Sequence, residues 1–373
     1  MKVLLCSPYL QLPDIASGGI NKWGNNLLTY SSSIESEVKI TPVSFDRRTF
    51  VSVDSNVFKR IFWGLKEYKK AIDETQKRMK QEHFDVMHIC TSASISLTKD
   101  ILLLKTAKKQ GVKSCIHFHF GRIPELAAKK NWEWKLICKV VKLADTVITM
   151  DMKSYETLLS CGFENVTYCP NPLSLSIINQ IENTKSEIVR IPNKLLFVGH
   201  VLPSKGVYEL VKACKRFNGI ELHIIGKVDD SIKTDLGNIA KEKDGGNWLL
   251  FRGEMSHNEV IRELLSSSLF AFPSYTEGFP NVILEAMACE CPIVTTTVGA
   301  IPEMLNIAND ENCGICVPPQ DTDAFAEGLK ILLESPIKAK EIAENAFSRV
   351  HKLYAMPKVW DQLVSIWRIK KQI

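Results

Sequence analysis

The chain has 373 residues, 45% of them hydrophobic and 24% charged. That balance is typical of a globular protein and excludes a disordered chain, a collagen-like repeat and a disulfide-dense mini-protein. The net charge of +5 is too modest to mark a nucleic-acid binder.

The charge is unevenly divided. Residues 1–190 carry 27 Lys and Arg against 19 Asp and Glu, whereas the remainder carries 20 against 23. The first half is therefore the part expected to meet something anionic. Residues 3–6 read as a buried first strand that Pro8 cuts off, and their apolar run is shorter than a signal peptide needs. No stretch reaches the roughly 18 apolar residues of a spanning helix. The apolar runs KVLLCS, DVMHIC, SCIHFHF and DTVITM predict strands in the first half, and KLLFVG, ELHIIG, WLLFRG, LFAFPS and PIVTT in the second. Between them, helical periodicity covers residues 21–32, 58–81, 100–109 and 258–267. Continuously apolar strands alternating with helices predict parallel sheets covered on both faces, and the pattern occurs twice. The expected fold class is α/β, with two doubly wound domains over 1–187 and 188–353, and a C-terminal helix over 354–373 packing back toward the first. The 11 cysteines, odd in number and scattered singly, read as reduced thiols of a cytoplasmic protein.

The most informative motif is the run from Glu277 to Glu285. Glu277 stands in a turn with Gly278 and Pro280, and Glu285 lies inside a helix for which Asn281 is a favourable N-cap. A helix starting behind the strand LFAFPS aims free N–H groups and a positive dipole end at the strand's carboxyl edge, a site suited to a diphosphate. Ionised carboxylates only accept hydrogen bonds, so Glu277 and Glu285 suit hydroxyl pairs rather than phosphate. A ribose diol, a diphosphate and a sugar together describe a nucleoside-diphosphate sugar. A capped helix with a solvated turn is the plainer alternative. The second motif places Gly199 and His200 after a strand, followed by Lys205, whose ammonium can neutralise a leaving diphosphate. The spacing does not fit the Walker pattern GxxxxGK[ST], which disfavours a P-loop ATPase.

These segments, with PIVTTTVGAIPEM and CGICVPP, resemble the C-terminal domain of family 4 retaining glycosyltransferases. Ser17-Gly18-Gly19-Ile20, His117-Phe118-His119 and Tyr168-Cys169-Pro170-Asn171-Pro172 resemble their first domain. The resemblance implies a GT-B fold of two Rossmann-like domains facing across a cleft, the second binding the donor and the first the acceptor. It implies that Glu285 holds the ribose, that Glu277 holds the transferred sugar, and that backbone N–H groups at Gly278, Phe279, Asn281 and Val282 meet the sugar and phosphates. It further implies that Lys205 faces the diphosphate, that Gly18 and Gly19 give donor phosphate and acceptor close access to backbone, and that His119 lines the reaction centre. No cofactor and no metal are implied, and the donor is a co-substrate. The implied activity is transfer of a hexosyl group to a glycan or lipid-linked saccharide in cell-surface polysaccharide biosynthesis. A nucleotide-sugar epimerase and a non-catalytic sugar-nucleotide binding protein remain as alternatives. A dinucleotide oxidoreductase is disfavoured, because no GxGxxG follows a strand.

The chain departs from the family at His200, where arginine is usual. Histidine, with an ordinary pKa of about 6.5, is only partly charged at pH 7. Either a bound diphosphate draws a proton onto it, or Lys205 and the helix end carry the load, or activity is weak or favours acid. A second departure is Cys289-Glu290-Cys291, where the family commonly has glycine. Asp321-Thr322-Asp323 reads as a helix N-cap rather than a metal pair, and Cys289, Cys291, Cys313 and Cys316 as buried thiols rather than a zinc site. His83, His88, His223, His257 and His351 show no metal spacing and read as surface or core residues. Two aromatic-basic clusters, from Phe58 to Lys70 and from Lys129 to Lys135, suit an anionic membrane surface on the cytoplasmic side, against the alternative of helices whose aromatics face the core. No nucleic-acid motif accompanies them.

Overall fold

The computed structural model describes residues 1–8, 19–45, 57–309 and 311–369, and the side chains of all of these except 57–65 and 67. The chain divides into two compact units, Met1–Pro172 with Val359–Ile373, and Leu173–Lys358.

The first unit runs β1 (Lys2–Pro8), α1 (Gly19–Ser33), β2 (Lys39–Phe45), α2 (Val57–Gln81), β3 (Val86–Thr91), α3 (Ser96–Lys109), β4 (Lys113–Phe118), α4 (Ile123–Lys129), α5 (Trp132–Leu143), β5 (Thr146–Thr149), α6 (Met152–Ser160) and β6 (Val166–Tyr168). Its strands form one parallel sheet in the order β2-β1-β3-β4-β5-β6. Strands β3 and β4 are buried along their whole length, as apolar runs in a doubly covered sheet require. Strand β2 has no apolar run and contains Pro42. It is tolerated because β2 is an edge strand, where a missing N–H costs no ladder bond.

The second unit runs α7 (Leu175–Lys185), β7 (Ile191–Val198), α8 (Val207–Cys214), β8 (Glu221–Ile225), α9 (Asp230–Lys241), β9 (Leu249–Gly253), α10 (His257–Ser266), β10 (Ser267–Phe272), α11 (Asn281–Ala288), β11 (Ile293–Thr296), α12 (Ile301–Met304), β12 (Ile315–Val317), α13 (Thr322–Glu334) and α14 (Pro336–Arg349). Its parallel sheet has the order β12-β11-β10-β7-β8-β9. The division falls at Pro172, earlier than residue 187, because the polar stretch 179–193 is not a linker. Its first part, 179–185, belongs to α7, which buries Ile178 and Ile181 and packs on α10 and α11, and its last residues open β7.

The last helix, α15 (Met356–Arg368), carries the chain from the second unit into the first. There Trp367 donates its indole N–H to His88 Nδ1 at 3.0 Å, and the Lys113 ammonium donates to the carbonyls of Ile366 and Ile369 at 2.8 and 2.7 Å. A lysine on the terminal carbonyls is a favourable helix end, since it neutralises the negative end of the dipole.

Candidate donor site in the second unit

In an open parallel sheet, ligands bind beyond the carboxyl ends of the strands where the strand order reverses. In the second unit that point lies between β7 and β10. The segments following these two strands are those carrying Gly199 to Lys205 and Glu277 to Phe279. The structure joins them. Tyr275 N–H donates to Ser204 O at 2.9 Å, and Lys205 Nζ donates to Glu277 Oε1 at 2.5 Å. Both side chains are mostly shielded, at 26% and 12% exposure. Lys205 closes a 3₁₀ turn over Pro203–Lys205, and Gly206 (φ +69°) turns the chain into α8. A Cβ on Gly206 would stand 2.0 Å from Pro273 O, so the two segments meet backbone to backbone. Gly199 follows β7 and donates to Ile225 O at 3.0 Å, and the His200 side chain is exposed.

The turn carrying Glu277 rests on Gly299. With φ +55°, a Cβ there would meet Glu277 O at 2.3 Å and Gly278 O at 2.8 Å, and Ala300 N–H donates to Gly278 O at 2.9 Å. Phe279 is buried, its ring edge-on to Tyr354. The N-cap of α11 is Pro280, in extended backbone, and Asn281 is the first helical residue. This corrects the sequence reading of Asn281 as the cap. Proline's fixed φ suits the cap position, and its ring removes a donor. The Asn281 side chain therefore makes no capping bond, and its buried Oδ1 has no partner among the described residues. Val282 follows it in the first turn, whose N–H groups lack intrahelical acceptors. Glu285 lies one turn further on, 5% exposed, with His257 Nε2 at 3.7 Å from its Oε1.

The sequence profile of the Glycosyl transferases group 1 family matches residues 179–349. Residues 179–349 are thus similar to the group 1 glycosyl transferases. The capsular polysaccharide biosynthesis glycosyltransferase CapM of Staphylococcus aureus is 26% identical over 194 residues, 51% of this chain and 49% of CapM. The chain thus spans about half the length of the sequence relatives it matches. Among solved structures, sucrose-phosphate synthase of Thermosynechococcus elongatus superposes with a TM-score of 0.73 at 17% identity, covering 98% of both chains. Anabaena Alr3699/HepE, in complex with UDP, superposes at 0.71 and 15% identity, covering 98% of this chain and 99% of that one. The fold is GT-B.

In the first unit, His119 stands just beyond β4, with its N–H donating to Thr91 O at 2.9 Å. Its ring lies 4.0 Å from that of His117 and 4.9 Å from that of Trp23, while Trp23 stacks on His88 at 5.3 Å. Burial pushes the pKa of His119 down to about 3, as it does that of His88, and holds His117 well below the ordinary histidine range. All three are neutral at physiological pH. Gly19 opens α1, with no described residue within 4 Å of where a Cβ would stand, and Gly18 lies outside the described residues.

Asp321 caps α13, accepting from Ala324 N–H at 2.9 Å, and Asp323 pairs with Arg216 at 2.6 Å. Cys289, Cys291 and Cys313 are buried free thiols, and Cys316 is partly buried. Sequence reasoning missed Gly299 and His257. Gly299 stands within PIVTTTVGAIPEM, but nothing local says which turn it supports. His257 reads as an ordinary histidine until α10 is seen beside α11.

Proposed function

We propose that the chain is a retaining glycosyltransferase that moves a hexosyl group from a nucleoside-diphosphate sugar to a hydroxyl of a glycan or lipid-linked saccharide. The second unit, Leu173–Lys358, takes the donor. The first takes the acceptor, with His119, Gly18 and Gly19 as its proposed acceptor-side residues. The supporting observation is the Lys205–Glu277 pair standing beside the first turn of α11, with Glu285 buried one turn inside it.

The pair leaves chemistry to spare. Lys205 uses one of three donors on Glu277, so two remain for a diphosphate; Glu277 uses one oxygen, so Oε2 remains for a sugar hydroxyl. Backbone N–H groups of Gly278, Phe279, Asn281 and Val282 add partial positive charge at the same end of the helix. Glu285, with His257 beside it, accepts from the ribose hydroxyls. In the reaction, the acceptor oxygen bonds to the anomeric carbon on the face from which the diphosphate departs. The anomeric carbon–oxygen bond to phosphate breaks, and the departing phosphate oxygen takes the acceptor's proton. Lys205 and the helix end stabilise the charge developing on that oxygen, so the reading requires no metal ion. The exposed His200 stands where the family has arginine, and the load falls chiefly on Lys205.

The name of CapM supports a role in cell-surface polysaccharide biosynthesis, and the UDP complex of Alr3699/HepE supports a uridine donor; the excess of Lys and Arg in residues 1–190 supports work at the cytoplasmic face of an anionic membrane. Thermal stabilisation by UDP, GDP and ADP identifies the base, since a ligand at 100 times its Kd adds about 2.7 kcal/mol. Labelled sugar is then followed into a larger acceptor, because an epimerase forms no glycoside. Stabilisation by none of the three nucleotides, or isomerised sugar without glycoside, overturns the reading.

A further inference from the structure

Helices α3 and α5 pack side by side on one face of the first sheet, as successive right-handed crossovers dictate. Their outward rows combine lysines with bare apolar side chains. On α5, the fully exposed positions are Trp132, Lys135, Lys139 and Lys142, at helical spacing 3, 4 and 3. On α3 and the residue preceding it, the matching row is Ile95, Thr98, Leu102, Lys105 and Lys109. Neither row contains a carboxylate. None of these five ammonium groups forms an ion pair among the described residues, whereas many other lysines, from Lys2 to Lys215, do. The apolar members are laid bare: Trp132 is 55% exposed, Ile95 53% and Leu102 49%. Trp134, in the same aromatic-basic cluster, is buried and takes no part. The one acid of α5, Glu133, is turned inward, where it accepts from Ser94 N–H at 2.9 Å and meets Arg122 at 3.3 Å. The exposed acids Glu125 on α4 and Glu156 on α6 lie outside both rows.

We infer that the outer face of α3 and α5 is a docking surface for an anionic lipid bilayer. The inference deepens the membrane-side reading of the transferase given above, and rests on it only for location. Lysines alone would serve any polyanion. The exposed Trp132, Leu102 and Ile95 favour lipid, because large apolar side chains between ammonium groups sink into the headgroup boundary while the ammonium groups meet the headgroup charges. The row from Trp132 to Lys142 spans about 15 Å, so its charges reach one flat surface together.

Flotation of the full chain with vesicles tests this, comparing phosphatidylcholine alone with a mixture containing roughly a third phosphatidylglycerol. Binding is expected only to the anionic vesicles, and weakens with salt. Each ammonium near such a surface strengthens binding about fivefold, so the variant K135Q/K139Q/K142Q loses about a hundredfold. The variant K233Q/K241Q/K338Q, which removes the same charge from the second unit, keeps its binding, and Trp132→Ser weakens it. Equal binding to neutral vesicles, equal loss in both triple variants, retention by the first, or tighter binding to an RNA oligomer than to the vesicles overturns the inference. The Tm shift caused by UDP, measured on the same variants, reports the donor site alone. A failed docking face therefore leaves the transfer reading standing, and a failed donor site leaves the docking result readable.

Discussion

Lys205 Nζ lies 2.5 Å from Glu277 Oε1, joining side chains 72 residues apart on the segments that leave β7 and β10. Each group fixes the other at the reversal point of the sheet, ahead of the first turn of α11. Lys205→Met removes the ammonium expected to steady the leaving diphosphate, and kcat falls about 10²- to 10³-fold. Glu277→Gln keeps the shape and loses the charge, and transfer falls at least as far. Because either change leaves a shielded charge unpaired, both variants also lose about 1–3 kcal/mol of stability. Steady-state kinetics and thermal melting of the two single variants and the double variant check this; unchanged turnover in Glu277→Gln would refute its role.

Gly299 is the floor of the same turn. Gly299→Ala places a methyl group 2.3 Å from Glu277 O at a positive φ, so the turn must move. The expected result is a loss of about 1–3 kcal/mol together with weakened UDP binding. Gly219→Ala, at a similar φ but with open space around it, loses stability without losing UDP affinity. Equal UDP affinity in both variants would remove Gly299 from the site.

On the proposed reading, Glu285 is expected to set affinity for the donor rather than the chemical step. Hydrogen bonds to a charged group contribute about 1.5–3 kcal/mol, so Glu285→Gln raises the donor KM by roughly one to two orders of magnitude while kcat changes less. His257→Ala raises it by a smaller factor, since the imidazole, 3.7 Å from Glu285 Oε1, acts through the carboxylate's position. Titration with UDP separates this outcome from a fall in kcat alone.

The buried histidines set a pH response. His88 and His117 are fully buried and held below the ordinary histidine pKa by desolvation, His88 at about 3. Below about pH 6.5 the unfolded chain takes up protons that the folded chain refuses, so stability falls as pH falls. The slope is about 1.4 kcal/mol per pH unit for each such histidine. Calorimetry from pH 7.5 to 5 therefore shows a falling Tm, and His117→Phe shows a shallower fall. A Tm independent of pH across this window contradicts neutral burial. His119, with its pKa also near 3, adds no ionisation of its own to the pH–rate profile between pH 5 and 8.

The alternation of apolar runs and amphipathic segments was enough to establish two doubly wound sheets, because periods of two and 3.6 residues are properties of neighbouring residues. The run from Glu277 to Glu285 likewise announced a helix start, since its turn residues lie within one short segment. Strand order, and with it which loops share a switch point, was decided only by the tertiary structure. So were the edge position that lets β2 hold Pro42, the three-residue strands β6 and β12, the seat of Gly299 beneath Glu277, and the bond from Trp367 to His88 across 279 residues. Each of these depends on which distant backbones come to lie side by side. That is set by the burial of whole faces, and no single segment carries it.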